Sequence, residues 1–270
     1  MSVAPRLLLP VALLGAMTSP AMAQGMPSSQ PGILSIIIED IKVGMESAHA
    51  ANEAGWPHAF GKANSPYYYM AFESMTGESQ IWYVSPYESF AAQGENMKAN
   101  QSDPALAAEL DRLWRADAEY LNSATTIQAV ARPDLSYGPF PNLAMVRYYD
   151  ISIIRVRLGH EQEWEEAARA YMEVVRRGAP GASYRIYEVI NGWPDGYFLA
   201  FSTANDYAEF DAKMAAMQGM WGQATAAEME TLQGFLASGA QSMVTQRFSV
   251  SPTMSYVSPE ARAQAPDFWR

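Results

Sequence analysis

The chain has 270 residues, of which 49% are hydrophobic and 17% are charged, and it contains no cysteine. Such a composition excludes a disordered chain, because this many apolar residues can form a core. The lack of cysteine excludes a disulfide scaffold, a thiol enzyme and a Cys-ligated zinc or iron–sulfur site. With 29 acidic against 18 basic residues, the formal net charge of −11 argues against nucleic acid as a partner.

The first 23 residues have the three parts of a secretory signal. Arg6 precedes an apolar run over 7–17, and Ala21-Met-Ala23 gives a small-x-small cleavage site. We therefore expect a signal peptide over 1–23, a linker over 24–32, and a periplasmic or secreted product with no membrane insertion after cleavage. The alternative is an N-terminal anchor that stays attached.

An internal repeat dominates the rest of the chain. Two β-branched runs, 33–44 and 148–159, each end at a glycine, as strands entering turns do. At this spacing of 115 residues four pairs match without a gap: Gly44 with Gly159, Tyr69 with Tyr184, Glu73 with Glu188, and Gly77 with Gly192. The spacing then drifts to 117 and 119, as small loop insertions would cause. The pattern predicts two tandem units, 33–137 and 147–257, with a linker over 138–146.

Each unit has the same predicted order of elements. In the first unit these are strand 33–42, helix 45–61, strands 67–73 and 81–84, a helical region broken at 94–96 and at 102–104, and strand 125–131. In the second they are strand 149–158, helix 161–177, strands 183–190 and 197–201, a helical region broken at 218–219, and strand 242–249. Ser102 or Asp103 is placed to cap a helix over 105–121. The tail 258–270 ends in Phe268 and Trp269, which favour docking.

The order βαββαβ is that of a ferredoxin-like unit, whose sheet needs an apolar cover on its open face. We predict an α+β fold in which the two tandem ferredoxin-like units pack sheet to sheet as a pseudo-dimeric α/β barrel. Such a chain completes the barrel as a monomer, and further association into a homodimer is the alternative.

The strand-to-helix phrases Tyr83–Phe90 and Ala200–Tyr207, together with the paired glycines, resemble those of the dimeric α/β-barrel superfamily, which includes antibiotic-biosynthesis-monooxygenase-like proteins. More closely, the chain is similar to secreted bacterial proteins that carry the unit twice. The resemblance implies the fold. Its members include cofactor-free monooxygenases, heme-binding and heme-degrading enzymes and proteins with no assigned activity, so it leaves the activity open.

The matched Tyr69, Glu73, Tyr184 and Glu188 are the candidate catalytic residues. Tyrosine and glutamate four positions apart share one strand face, and a carboxylate beside a phenol in an apolar cavity can exchange protons with a ligand. This is the basis for a cofactor-independent monooxygenase-like enzyme. The alternative is that the glutamates end their strands in solvent and the tyrosines pack.

The candidate ligand-binding residues are Asp40, Arg155, Trp82 and Tyr197. Asp40 and Arg155 occupy matched strand positions beside apolar neighbours, and the aromatics also fall on predicted strands. Together they favour a small apolar or aromatic molecule between the sheets. A solid core, with both charges in water, is the alternative.

Metal and cofactor signals are weak. His49, His58 and His160 occupy unmatched positions and fit no metal motif, and phosphate-loop, dinucleotide and nucleophile-elbow motifs are absent from the sequence. We therefore expect no cofactor. Met214, Met217 and Met220 share a helical spacing that would suit Cu(I) in an exported protein, or else core packing.

Overall fold

The computed structural model describes residues 25–269, so the predicted signal peptide over 1–23 lies outside the described residues. Eight strands in this range form one closed antiparallel barrel: β1 (Ile33–Ile41), β2 (Tyr69–Ser74), β3 (Gln80–Tyr87), β4 (Leu121–Ala131), β5 (Tyr148–Val156), β6 (Arg185–Asn191), β7 (Tyr197–Ala204) and β8 (Ala240–Tyr256). The order around the barrel is β1-β3-β2-β8-β5-β7-β6-β4. The prediction of an α+β barrel is thereby confirmed.

The helices cover the outside of the barrel: α1 (Glu46–Glu53), α2 (Gly55–Lys62), α3 (Phe90–Ser102), α4 (Pro104–Asp117), α5 (Glu161–Gly178), α6 (Glu209–Met220), α7 (Ala226–Gly234) and α8 (Pro259–Gln264). A π-helical turn, Phe235–Gly239, leads from α7 into β8. Within the described part of the chain, no helix combines the length and hydropathy needed to cross a lipid bilayer.

The barrel closes because the two halves of the chain exchange strand contacts. β1 pairs with β3 and β4, and β5 pairs in the same way with β7 and β8. The last strand of each half also pairs with the second strand of the other, β4 with β6 and β8 with β2. Every strand thus has two neighbours, and the barrel leaves no unpaired edge of the kind that promotes aggregation.

Both faces of β1 are largely apolar because both are covered. In β1, Ile36 and Ile38 point into the barrel, whereas Ile37 and Ile41 belong to the layer between sheet and helices. This explains why the sequence of β1 reads as an almost continuous apolar run instead of a strict alternation.

The C-terminal tail packs against the segment before β5. Trp269 is 3% exposed, and its Nε1 donates a hydrogen bond to the backbone oxygen of Ala144 at 2.9 Å. The guanidinium of Arg147 lies 3.7 Å from the centre of the Phe268 ring. The two terminal aromatics therefore anchor the tail to the connection between the halves.

The helices differ from the sequence prediction in three places. The predicted helix 45–61 is two helices that meet at Ala54, since Pro57 has no N–H with which to continue the first. Neither Gly94 nor Gly219 breaks a helix: both lie inside one, in α3 and α6. Asp103 caps α4 as expected, accepting hydrogen bonds from two backbone N–H groups.

The turn between β6 and β7 supplies a test of barrel closure. Gly192 has φ +90°, and a Cβ there would lie 2.2 Å from the Thr126 oxygen and 2.9 Å from Ile127 Cα, both in the backbone of β4. Its counterpart Gly77, with φ +85°, would meet only the far end of the flexible Gln246 side chain. Both Gly→Ala changes carry the backbone cost of about 1–2 kcal/mol.

We expect Gly192→Ala to lower the free energy of unfolding by roughly 1–3 kcal/mol more than Gly77→Ala, because backbone cannot move aside as a side chain can. Urea denaturation of the two variants measures this difference. Equal losses would contradict the close approach of the β6–β7 turn to β4.

Candidate functional site

Side chains fill the middle of the barrel. Trp82 and Phe248 are completely buried there, with ring centres 5.3 Å apart, and Ile36, Ile127 and Leu199 are buried beside them. The space between the two halves is therefore mostly core, and its open volume lies at one end.

That open volume is a cavity of about 70 Å³ at the end where β1, β2, β5 and β6 begin. Its barrel-side lining consists of residues from both halves at the spacings found in the sequence, 115 before the β-turns and 117 after them: Leu34 with Tyr149, Met70 with Arg185, Phe72 with Tyr187, Val84 with Phe201, and Pro86 with Thr203. The cavity thus receives matched contributions from the two halves.

Two segments outside the barrel cover this cavity. Met26, Pro27 and Pro31 come from the stretch before β1, and Phe140 and Leu143 come from the connection between the halves. The cover, like the barrel-side lining, is almost entirely apolar. An apolar molecule is therefore the kind of ligand that the cavity can take.

The ionisable side chains in the cavity lining cannot act as acids or bases near neutral pH. Burial raises the pKa of Tyr149 and Tyr187 above the ordinary value of a tyrosine. Arg185 donates hydrogen bonds to the backbone oxygens of Tyr137 and Gly138, so its guanidinium is held by the chain. Among residues 25–269, none that lines the cavity offers a carboxylate or an imidazole.

Of the predicted ligand-binding residues, Trp82 lies in the middle of the barrel, and the other three lie toward the end opposite the cavity. Asp40 accepts hydrogen bonds from Gln80, at 2.6 Å, and from Ser123. The guanidinium of Arg155 lies 5.2 Å from the centre of the Tyr197 ring. Asp40, Trp82, Arg155 and Tyr197 are therefore held by contacts within the protein and stand apart from the cavity lining.

Trp193 fills the space beside these residues. Its ring centre is 6.3 Å from that of Trp82 and 5.1 Å from that of Tyr197. Since Trp193 is in the turn between β6 and β7, this turn covers the end of the barrel opposite the cavity.

The predicted catalytic residues are dispersed over the outer face of the barrel. Tyr69 packs against the Phe60 and Tyr83 rings under the helices of the first half. Tyr184 packs similarly in the second half. Glu188 forms an ion pair with Arg132 at 3.1 Å, and Glu73 is half-buried on β2. None of Tyr69, Glu73, Tyr184 and Glu188 is in the cavity lining.

The three methionines of α6 differ in environment. Met214 and Met217 are exposed, whereas Met220 is buried against Val174 and Val175 of α5. Only the last of the three is therefore a core residue.

A second site, which we call the acidic–histidine cluster, lies between the sheet and the helices of the first half. It comprises Glu39 on β1, His49 and Glu53 on α1, and Asp117 at the end of α4. All four are at most 4% exposed. His49 Nε2 lies 2.9 Å from Glu39 Oε2 and 3.5 Å from Asp117 Oδ1, so one nitrogen faces two carboxylates.

Amide and indole donors complete the cluster. The Asn52 side chain donates to Asp117 Oδ1 at 3.3 Å and to Glu53 Oε1 at 3.4 Å. The Trp56 indole also donates to Glu53 Oε1, at 2.8 Å. Asp117 Oδ2 and His49 Nδ1 are buried without a hydrogen-bond partner. A buried polar atom left unsatisfied in this way costs about 1–3 kcal/mol.

Burial and mutual repulsion shift the pKa values of the cluster. Burial, together with the charges of Glu39 and Asp117, raises the pKa of Glu53 from 4.5 to about 8. Burial also raises the pKa of Glu39, against the hydrogen bond from His49. For His49, burial alone would lower the pKa, but the neighbouring carboxylates of Asp117 and Glu39 raise it to about 9. The cluster therefore retains protons that free side chains would have released.

The corresponding place in the second half is apolar. The residues 115 positions after Glu39, His49 and Glu53 are Ile154, Trp164 and Ala168. They form one buried hydrophobic cluster with Phe235, which follows α7 much as Asp117 ends α4. The same architecture is thus built without any charge at this point.

The sequence prediction missed this cluster. His49 fits no motif, and Glu39 and Asp117 are far apart along the chain. A signal was nevertheless present: Glu39 stands between Ile37 and Ile41 on one strand face, where the second unit has Ile154. A charge that replaces an apolar repeat residue is informative even without a motif.

The raised pKa values predict how stability depends on pH. Between pH 4.5 and about 8 the folded protein holds a proton on Glu53 that the unfolded chain releases, so this residue makes stability fall as the pH rises. His49 acts in the same direction between pH 6.5 and about 9.

As the pH rises from about 5 to 8, we expect the free energy of unfolding of the wild type to decrease more than that of Glu53→Gln. The extra decrease should be on the order of a few kcal/mol, because only the wild type has the carboxyl group that retains a proton in the folded state. Urea denaturation in chelator-containing buffer measures this, with Glu73→Gln as the control. Parallel pH profiles for wild type and Glu53→Gln would contradict the assignment of a retained proton.

Comparison with known proteins supports the fold. No protein-family model matches the chain, and no curated protein matches its sequence. Among solved structures, two named "putative monooxygenase" are similar. The one from Lactobacillus acidophilus has a TM-score of 0.50 and 9% identity, over 82% of this chain and 94% of its own. The one from Fusobacterium nucleatum has a TM-score of 0.52 and 10% identity, over 82% and 93%.

An anthrone oxidase-like protein is similar to the same degree, with a TM-score of 0.51 and 9% identity, over 83% of this chain and 92% of its own. At sequence identities this low, structural similarity indicates a shared fold but does not indicate a shared activity. The chain therefore shares the α+β-barrel fold of these solved structures, and its own strands close the barrel.

Proposed function

We propose that this protein is an exported binding protein that holds a small apolar molecule in the cavity at the end of its barrel. One observation carries the proposal: the cavity is apolar, covered by two chain segments, and has no side chain in its lining that takes up or releases a proton near neutral pH. Such a lining suits retention of a ligand better than proton-transfer chemistry.

The size of the cavity limits the ligand. At about 70 Å³ it has roughly half the volume of an engineered apolar cavity of ~150 Å³ that binds benzene or xenon. A short aliphatic molecule fits directly. A ring needs the segments 25–32 and 138–146 to move away from the barrel, and because these segments lie outside the strands, they can move without breaking strand pairs.

Export and duplication belong to the same proposal. The signal-like residues 1–23 support export to the periplasm or beyond. The matched strand pairings of the two halves, and the matched residues in the cavity lining, support an origin by tandem duplication of a ferredoxin-like unit. The cavity would then lie on the axis that relates the two copies.

Two other functions remain as alternatives. A cofactor-independent monooxygenase-like enzyme has fold likeness in its favour, but its candidate residues Tyr69, Glu73, Tyr184 and Glu188 lie away from the cavity. Binding of Cu(I) would use Met214, Met217 and Met220, of which the first two are exposed and the third is buried.

The test places a larger side chain in the cavity. Val84 lines it and corresponds to Phe201 in the other half, so Val84→Phe introduces a residue that the barrel already accommodates at the matched position. We expect wild-type crystals under xenon pressure to bind xenon beside Met70 and Tyr149, and Val84→Phe to abolish this binding. Native mass spectrometry of protein purified from the organism that naturally produces it should detect a bound apolar molecule on the wild type and none on Val84→Phe.

Val244→Phe is the matched control, because Val244 is an exposed valine on β8 outside the cavity lining. It should leave both measurements unchanged. A cavity that stays empty under xenon, or a co-purified molecule that survives Val84→Phe, would overturn the proposal.

A further inference from the structure

We propose that Glu39, His49 and Asp117 form a binding site for one divalent first-row transition-metal ion, buried in the first half of the chain. The site is separate from the cavity and does not depend on the function proposed for it. Three ligand atoms, one from each residue, lie within 4.8 Å of one another.

Both distances from the imidazole nitrogen to the carboxylate oxygens match those between neighbouring ligands around one ion. Metal–nitrogen and metal–oxygen bonds of about 2.0–2.2 Å place neighbouring ligand atoms roughly 2.8–3.6 Å apart, for angles from square to tetrahedral. The two distances from His49 Nε2, 2.9 Å to Glu39 and 3.5 Å to Asp117, fall in this range. The three residues come from β1, α1 and α4, so the fold itself brings the set together.

Hydrogen bonds alone cannot satisfy all the buried polar atoms of this cluster. An imidazole nitrogen carries at most one hydrogen, so His49 Nε2 can direct it fully at only one of the two carboxylates it faces. Asp117 is completely buried, and its Oδ2 has no hydrogen-bond partner. A cation between the three residues would contact both carboxylates at once, and its two charges would balance those of Glu39 and Asp117.

Neighbouring groups support the ligands as they do in known metal sites. Asn52 donates to Asp117 Oδ1 and holds that carboxylate toward His49. The same side chain reaches Glu53, whose Oε1 is also engaged by Trp56. Glu53 therefore lies beside the three ligands as an acceptor of hydrogen bonds and is not counted among them.

The second half argues against a purely structural role. Ile154, Trp164, Ala168 and Phe235 fill the corresponding place with apolar side chains, so the fold does not require charge there. Replacing buried ionic groups by packed hydrophobic ones is often neutral or stabilising. Retaining three carboxyl groups and a histidine in the first half is therefore best explained by a ligand that needs them.

The donor set points to the class of metal. One imidazole nitrogen with two carboxylate oxygens suits Zn²⁺, Mn²⁺ or Fe²⁺, whereas Mg²⁺ and Ca²⁺ favour oxygen alone and Cu(I) favours sulfur. Because the ligands are at most 4% exposed, we expect the ion to enter during folding and to exchange slowly afterwards.

The test refolds the protein around a probe ion. The full chain is unfolded, stripped with a chelator, refolded with or without Co²⁺ or Zn²⁺, and desalted, and bound metal is measured by mass spectrometry. We expect one ion per wild-type chain and a visible Co²⁺ spectrum. Glu39→Gln and Asp117→Asn keep the size of their side chains but should lower the affinity by about 100-fold or more.

The matched control is the double change His58→Gln with His160→Gln, which removes the two histidines outside the cluster and should leave one ion bound. X-ray absorption of the Co²⁺-loaded wild type gives a readout that does not depend on the folding of any variant, and it should report one imidazole, oxygen ligands and no sulfur. A wild type that refolds without binding either ion, a shell without imidazole, or loss of the ion in the double variant would overturn the proposal. A result that the cavity at the end of the barrel binds no ligand would leave this metal-site proposal unaffected.

Discussion

The whole structure depends on the exchange of strand contacts between the two halves of the chain. Each half pairs its last strand with its own first strand and with the second strand of the other half, so neither sheet has a free edge. Closure turns the inner faces of both sheets into one core around Trp82 and Phe248. Closure also leaves two regions in which a binding site can form: the ends of the barrel, and the layers between the sheet and the helices.

These two kinds of place have different physical characters. The end of the barrel receives matched residues from both halves, and its chemistry is apolar. The layer under the helices belongs to one half at a time, so the two halves can diverge there without disturbing closure. In the first half it holds buried carboxyl groups around His49, and in the second it is a hydrophobic core around Trp164. The two halves therefore differ in a layer on which closure of the barrel does not depend.

Much of the fold could be predicted from the sequence because the signals are local and occur twice. Strand runs ending at Gly44 and Gly159 predicted the repeated order of elements, and the apolar sheet faces predicted the barrel. Two helix features were not predictable from composition alone. Pro57 divides the first helix, and α6 continues through Gly219 and ends one residue later, at Met220.

The acidic–histidine cluster could not be predicted in the same way. Asp117 reaches His49 only because α4 packs beside α1, a tertiary contact with no trace in local spacing. By contrast, the candidates chosen from the repeat lie on the outer face of the barrel and outside the cavity lining, and Glu188 among them forms an ion pair with Arg132. Repetition identifies what the architecture shares, whereas the cluster is visible only as a departure from it.

Native-state hydrogen exchange tests the central claim, that the two halves form one closed and cooperative unit. Backbone amides at the joins between halves, such as those of Val130 with Glu188 and of Glu73 with Ser249, should exchange only through global unfolding. Their opening free energies should equal each other and that of the whole protein. A lower value at either join, with one half opening while the other stays protected, would contradict the account.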